Sequence, residues 1–122
     1  MPDVSVIIPA FREENVIGTV VAGVLQVMET ASRSFEILVV DDGSDDGTAV
    51  EAEKAGARVI SHPYNMGNGA AVKTGIRHAA GDILITLDGD GQHDPDDIPR
   101  LLEKMDRYDM AVGARGGDSE SD

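Results

Sequence analysis

The chain has 122 residues, a length that suits one domain with a modest hydrophobic core. Its net charge of −13 and its aromatic content of 3% argue against nucleic-acid binding, which favours basic surfaces and aromatic rings for stacking. The absence of cysteine excludes disulfides, thiolate chemistry and cysteine-based zinc sites. A phosphate-bearing ligand must therefore be held locally, by a metal ion, by backbone N–H groups or by a few cations.

Short β-rich runs alternate with helical patterns along the chain. In chain order, the predicted elements are a strand over 4–8, a helix over 15–30, a strand over 35–40, a helix over 47–55, a strand over 57–61, a helix over 69–79, a strand over 82–87, a helix over 95–107 and a strand over 110–113. The strands are near-continuous apolar runs, as expected when helices cover both faces of a parallel sheet. In a doubly wound sheet with the order 3-2-1-4, ligands bind at the carboxyl edge between strands 1 and 4.

No stretch of the chain approaches the roughly 18 apolar residues of a membrane span, and the N-terminus lacks the basic start of a signal peptide. We expect a cytoplasmic protein without a transmembrane segment, with peripheral attachment at the cytoplasmic membrane face as an alternative. An uncovered apolar flank of the sheet would favour pairing of two chains, so a homo-oligomer is left open. Residues 116–122 are small and acidic, and we expect a disordered tail there.

An Asp-x-Asp-x-Gln pattern directly follows the fourth predicted strand. Alternate residues beyond a strand end can aim to the same side, so Asp88, Asp90 and Gln92 present two carboxylates and an amide oxygen together. Such oxygen-only ligands suit Mg²⁺ or Mn²⁺ rather than zinc. A solvated acidic turn is the alternative for an isolated pattern of this kind. His93 adjoins the group, but the three oxygen ligands already satisfy a hard cation.

Two acidic residues end the second predicted strand. A carboxylate at this edge can accept hydrogen bonds from a ribose diol or from a base N–H, and placing Asp41 beside Asp42 is costly without a ligand. Gly43 lets the chain turn without a Cβ, and Ser44 or Asp45 is expected to cap the following helix.

The loops after the first and third strands carry weaker signals. Pro9 is expected to end the first strand, and Phe11 offers a ring face to a planar base, with a core position as the alternative. Gly67 and Gly69 permit close backbone approach at a helix start, from which Lys73 can reach a diphosphate. The glycine pattern fits neither a dinucleotide fingerprint nor a P-loop. His62 is expected in a loop and His78 on a helix surface.

Taken together, these loops resemble glycosyltransferase family 2, in the branch of the dolichyl-phosphate mannose and glucose synthases. The five matching stretches, in the family's order, are Val4–Glu13, Ile37–Thr48, Asn65–Gly75, Gly81–Pro95 and Met110–Arg115. The resemblance implies a GT-A-type nucleotide-diphospho-sugar transferase fold and an inverting transfer of a hexose from a UDP- or GDP-sugar. The acceptor that the resemblance implies is a polyprenyl phosphate or another sugar acceptor.

The resemblance also implies roles for particular residues. The residues expected to bind the nucleotide are Pro9, Phe11 and Glu13 beside the base and ribose, Asp42 on the base or ribose, and Gly69 and Lys73 beside the nucleotide. Asp88, Asp90 and Gln92 match the family's metal positions, where Mg²⁺ or Mn²⁺ bridges to the diphosphate. Arg115 faces an acceptor phosphate or is a surface cation at a strand end.

Family members continue past the last matching strand into an acceptor-binding half. We therefore expect residues 1–115 to form the nucleotide-sugar-binding domain of a truncated chain, with no general base to name. The alternative function is a nucleotide-sugar-binding module without turnover. A phosphoacceptor signalling domain is disfavoured, because its acidic pair, acceptor Asp and Lys would fall where this chain has Pro9, His62-Pro63 and Arg115.

Overall fold

The computed structural model describes residues 2–31, 33–89, 98–99 and 110–112. Its elements are β1 (Val4–Ala10), α1 (Ile17–Thr30), β2 (Phe35–Asp41), α2 (Thr48–Lys54), β3 (Arg58–Ser61), α3 (Asn68–His78), β4 (Ile83–Thr86) and β5 (Met110–Val112). The strands form one sheet in the order β3-β2-β1-β4-β5, with every neighbouring pair parallel. The predicted α/β class and strand order 3-2-1-4 are confirmed, with β5 added beside β4.

Helices cover both faces of the central strand. All seven residues of β1 are buried, and Val4, Val6 and Ile8 share a core cluster with the inward face of α1. Ile7 points to the opposite face, where α3 packs against β1 and β2. This two-sided burial explains why β1 reads as a continuous apolar run rather than an alternating one.

The inward face of α1 follows the predicted helical spacing. Its buried residues are Ile17, Val20, Val21, Val24 and Met28. They recur every three or four positions and therefore form one apolar stripe, which packs against the sheet. Gly56 follows α2 with a φ of 112°, the left-handed conformation expected of a glycine that stops a helix.

Pro9 does not end β1, contrary to the prediction. It lies within the strand, opposite Val40 of β2, and its carbonyl accepts a hydrogen bond from the Gly89 N–H at 3.1 Å. The last β1–β4 pair is Ile7 with Thr86, so the missing N–H of Pro9 falls where β4 has already ended. A proline is tolerated at such a position because no ladder hydrogen bond is lost.

The cap of α2 also differs from the prediction. The helix begins at Thr48 after Gly47, too far along the chain for Ser44 or Asp45 to reach its first N–H groups. Asp46 accepts the N–H of Thr48 at 3.0 Å, and Glu14 accepts that of Gly47 at 3.1 Å. Two N–H groups at the helix start are therefore bound by neighbouring carboxylates.

The predicted helix over residues 95–107 lies outside the described residues except at Ile98 and Pro99, and Ile98 is fully buried as expected. The predicted tail over 116–122 also lies outside them. None of the helices in the described part of the chain has the length and apolar character that a bilayer crossing requires.

Candidate functional site

A pocket of about 400 Å³ opens at the carboxyl edge of the sheet. Its lining comes from the chain segments that follow β1, β2, β3 and β4, together with the first turns of α3. The lining residues are Pro9, Ala10, Phe11, Glu13, Asp42, Asn65, Gly67, Asn68, Ala71, Asp88 and Gly89. The pocket therefore occupies the position expected for ligands in a doubly wound sheet, at the carboxyl ends of the strands between β1 and β4.

Hydrogen bonds from backbone N–H groups to side-chain hydroxyls hold the segment after β1 to the segment after β2. The N–H of Arg12 donates to the Ser44 hydroxyl at 2.8 Å, and that of Glu13 donates to the Thr48 hydroxyl at 2.9 Å. Arg12 has a φ of 54°, a left-handed conformation that is strained for a side chain with a Cβ. These contacts place Phe11 and Glu13 on the pocket wall.

Asp42 forms a buried, hydrogen-bonded carboxylate in the pocket. Its side chain is 5% exposed. It accepts hydrogen bonds from His62 Nδ1 at 2.8 Å and from the N–H groups of Met66 and Gly67 at 2.9 Å each. Burial alone would raise the pKa of Asp42, but these hydrogen bonds lower it below its ordinary value. The carboxylate therefore stays charged at neutral pH.

The adjacent Asp41 is also buried, and its Oδ1 accepts the Ser44 N–H at 3.1 Å. The expected cost of two neighbouring carboxylates is thus offset by donors of the protein itself, so the acidic pair does not by itself require a ligand. Gly43, between this pair and Ser44, has a φ of 78°, and a Cβ on it would clash with the backbone of Tyr64. The predicted turn without a Cβ is confirmed.

A second histidine contact extends the Asp42 network into α3. His62 Nε2 lies 2.8 Å from the Thr74 hydroxyl, and the His62 side chain is 8% exposed. His62 lies in a loop, as predicted from the sequence, but no role was predicted for it. The signal was present, because His62 follows β3 just as Asp42 follows the neighbouring β2, and Asp41 pairs with Ser61.

The segment that follows β4 lines another side of the pocket. Asp88 and Gly89 both line it, and the N–H of Gly89 is bonded to Pro9 of β1. A Cβ on Gly89 would lie 2.9 Å from the carbonyl oxygen of Pro9 and 2.9 Å from the Cβ of Ala10, closer than real side chains approach. The glycine after Asp88 therefore lets this segment turn against β1.

Five of the nine predicted site residues line the pocket together, namely Pro9, Phe11, Glu13, Asp42 and Asp88. Gly69 and Lys73 lie on α3, where both are exposed and outside the lining. Asp90 and Gln92, like His93 and Arg115, fall outside the described residues. In the described part of the chain, no group of three His, Asp or Glu side chains is arranged to hold a metal ion.

The described lining of the pocket is acidic. Glu13, Asp42 and Asp88 contribute carboxyl groups, and neither Lys nor Arg is among the described lining residues. A diphosphate entering this pocket would be repelled unless a cation came with it. The pocket therefore suits a ligand that combines hydrogen-bond donors with a metal-bound anion.

Comparison with known proteins identifies related sequences. The model of the family "Glycosyl transferase family 2" matches residues 5–122. Dodecaprenyl-phosphate galacturonate synthase of Rhizobium johnstonii is 36% identical over 93% of the chain, and undecaprenyl-phosphate 4-deoxy-4-formamido-L-arabinose transferase of Salmonella choleraesuis is 38% identical over 90%. The chain spans 36% of the length of each relative.

Related solved structures share the fold. Glucosyl-3-phosphoglycerate synthase of Mycobacterium tuberculosis, crystallised with Mn²⁺, UDP and glucosyl-3-phosphoglycerate, superposes with a TM-score of 0.71 at 28% identity. The match covers 85% of this chain and 39% of that one. The same enzyme has been crystallised with Mg²⁺ and UDP. Together with the sheet order, this similarity shows that the fold is of the GT-A type.

Proposed function

Because the chain belongs to glycosyltransferase family 2, we propose that it forms the donor-binding part of a metal-dependent, inverting glycosyltransferase that transfers a hexose from a UDP- or GDP-sugar. The observation that carries the proposal is the pocket between the ends of β1 and β4, with Asp42 as a buried acceptor in its wall. The relatives and the GT-A fold support a glycosyltransferase. The UDP- or GDP-sugar donor, the metal dependence and the inverting stereochemistry are what we propose in addition.

Asp42 is suited to bind a base N–H or a ribose hydroxyl. A carboxylate has about four acceptor positions, and three on Asp42 are occupied by His62, Met66 and Gly67. With the donors of the described residues counted, one position remains for a donor in the pocket. Phe11 is half-buried and lines the same pocket, where it offers an apolar ring. Both uracil and guanine carry a ring N–H next to a flat face, so this pair suits either base.

A divalent cation suits the other side of the pocket. Asp88 would hold it together with Asp90 and Gln92, the residues expected from the sequence to complete an oxygen-only ligand set for Mg²⁺ or Mn²⁺. When bound, the ion offsets the negative charge of the diphosphate and stabilises it as a leaving group. The acidic lining supports this proposal, because a nucleoside diphosphate without a cation would meet three carboxyl groups.

Inverting transfer is a single displacement at the anomeric carbon. The acceptor oxygen forms a bond to that carbon as the bond to the diphosphate oxygen breaks, and the electron pair leaves with the nucleoside diphosphate. For the acceptor we propose a polyprenyl phosphate, by analogy with the relatives' names. A phosphate monoester is already ionised at neutral pH, so this acceptor needs no general base to deprotonate it. Arg115 and Lys73 are the cations of this chain proposed to face phosphate groups.

Nucleotide binding and turnover test the proposal together. Isothermal titration of the 122-residue chain with UDP and GDP, with and without Mn²⁺, should show binding of at least one nucleotide that Mn²⁺ strengthens. Transfer from UDP-glucose or GDP-mannose to undecaprenyl phosphate is then measured in the same preparation. Absence of binding to both nucleotides in Mn²⁺ would overturn the donor-binding function.

A donor-binding module without turnover is the second candidate. It requires only the pocket and its buried Asp42 acceptor, both of which lie within the described residues. This candidate predicts heat on titration with a nucleotide but no sugar transfer and no hydrolysis of the sugar nucleotide. Product formation by the chain alone would exclude it.

A further inference from the structure

We infer that His62 is a positioning residue for donor binding, which holds the Asp42 carboxylate so that its remaining acceptor position is presented to the nucleotide. The inference rests on the proposed function and adds a residue that does not itself line the pocket. It is carried by the buried chain of contacts from Asp42 through His62 to Thr74.

Both nitrogens of the His62 ring have a partner, which fixes the ring. An ionised carboxylate only accepts hydrogen bonds, so Nδ1 carries the proton donated to Asp42 Oδ1 at 2.8 Å. Nε2 faces the Thr74 hydroxyl at 2.8 Å, and in the neutral imidazole it accepts the hydroxyl proton. The same tautomer, with the proton on Nδ1, therefore satisfies both Asp42 and Thr74.

Thr74 in turn anchors the ring to the helix. It lies on the buried side of α3 and is 6% exposed. Its hydroxyl oxygen also lies 3.3 Å from Nη2 of Arg77, a donor one turn further along the helix. Because α3 begins directly after Gly67, whose N–H binds Asp42, the helix and the carboxylate are connected at two points.

The His62 contact matters because it acts on one oxygen of the carboxylate. Among the described residues, Oδ1 accepts from His62 and Met66, whereas Oδ2 accepts from Gly67 alone. Within this set Oδ2 therefore keeps an open acceptor position, and His62 helps to hold the plane of the carboxylate against rotation about the Cβ–Cγ bond. Loss of the imidazole leaves Oδ1 with one of these donors. The buried carboxylate can then reorient to regain a donor, and this reorientation competes with binding of the ligand.

Matched variants separate this role from a general structural one. The chain is titrated, in Mg²⁺, with UDP, with GDP and with inorganic pyrophosphate, which lacks a base and a ribose. We expect His62→Leu to weaken binding of the preferred nucleotide about tenfold or more, the usual effect of losing a hydrogen bond to a charged group. Pyrophosphate affinity should stay the same, since it does not involve Asp42.

His62→Asn is the rescue variant. The amide nitrogen of Asn occupies the place of Nδ1 and can donate to Asp42, so this variant should bind the nucleotide within about threefold of the parent. Thr74→Val leaves the Asp42 contact but releases the far side of the ring. We expect a loss of roughly threefold, as for one neutral hydrogen bond. If circular dichroism shows His62→Leu to be unfolded, nucleotide and pyrophosphate affinities are compared between Thr74→Val and the parent instead.

The outcomes are distinct. Equal nucleotide affinity in the parent, His62→Leu and Thr74→Val overturns the positioning role while leaving the proposed function in place. Parallel losses of nucleotide and pyrophosphate binding also overturn it, because they indicate general damage to the fold. A parent chain that binds neither UDP nor GDP overturns the proposed function, and the positioning role with it.

Discussion

Gly75 of α3 lies directly against Ile7 of β1, and a Cβ on Gly75 would clash with Cγ2 of that fully buried isoleucine. The helix therefore approaches the sheet at a residue without a side chain. Asn68 and Ala71, in the first turns of the same helix, line the pocket. The closeness of Gly75 to Ile7 thus helps to set the distance between this wall and the end of β1.

Gly75→Ala should destabilise the fold by about 1–3 kcal/mol, because the added methyl group overpacks a buried contact. Gly69→Ala is the matched control in the same helix. A Cβ there meets no atom within 4 Å, so we expect stabilisation of up to about 1 kcal/mol from reduced backbone freedom in the unfolded chain. Urea unfolding followed by circular dichroism measures both. Equal effects of the two substitutions would contradict the close packing at Gly75.

Asp42 should make folding sensitive to acid. The pKa of Asp42 is lower in the folded protein than the ordinary value of 3.8, so the unfolded chain binds this proton more tightly. As the pH falls through about 4, the unfolded state takes up the proton first and the free energy of unfolding decreases. This contribution is fully present above the ordinary pKa and is lost as the pH falls through the lowered one.

Asp42→Asn isolates that effect. We expect the variant to be less stable than the parent by about 1–3 kcal/mol at neutral pH, because its amide cannot accept all three donors. The difference should shrink as the pH falls through about 4, where Asp42 takes up a proton in the unfolded parent before it does so in the folded one. Urea unfolding across this range measures it, with Asp45→Asn, at an exposed carboxylate, as the control. A difference that is independent of pH would contradict the lowered pKa.

Much of the fold follows from sequence patterns that have a direct physical cause. The apolar stripe of α1 and the near-continuous apolar run of β1 both arise because these residues are buried in the core. Boundaries were less predictable. Pro9 was expected to end its strand, yet it lies inside β1. Its missing N–H falls beyond the end of β4, so no hydrogen bond is lost. This depends on the register between two strands that are distant in sequence.

The location of the pocket was predictable from polar residues that directly follow strands. Asp42 and Asp88 were placed correctly at one edge, because the carboxyl ends of parallel strands converge there. The position of His62 beside Asp42 follows from the pairing of β2 with β3, but its contact with Thr74, twelve residues away on a helix, has no signal in local spacing. The positive φ of Arg12 could not be predicted either, because the Arg12 N–H is bonded to Ser44, which is distant in the sequence.

Backbone strain at Arg12 should be measurable by comparing two substitutions. Arg12→Ala and Arg12→Gly both lose the exposed ion pair with Asp45 and the contact of the guanidinium with the Phe11 ring, 4.9 Å from its centroid. Only alanine keeps a Cβ at a φ of 54°. Arg12→Gly should therefore be more stable than Arg12→Ala by about 1 kcal/mol. Urea unfolding checks this, and a less stable glycine variant would argue against the left-handed conformation.

The acidic pocket should bind a nucleoside diphosphate only with help from a cation. Addition of Mn²⁺ should strengthen UDP or GDP binding by the parent at least about tenfold, and EDTA should reverse the gain. Asp88→Ala and Asp90→Ala should lose the gain, because each removes one of three expected oxygen ligands. Asp90→Ala is the stricter variant, since Asp90 is a ligand predicted from the sequence alone.

Asp82→Ala provides the control for these variants. Asp82 is exposed and directly precedes β4, so it lies at the end of the strand opposite the pocket. Its removal changes the net charge by the same amount as the other two substitutions, and it should leave the Mn²⁺ effect intact. Isothermal titration with and without Mn²⁺ measures all three, and circular dichroism confirms folding. If Asp90→Ala binds nucleotide in Mn²⁺ as tightly as the parent does, the ligand set is wrong and the cation is held elsewhere.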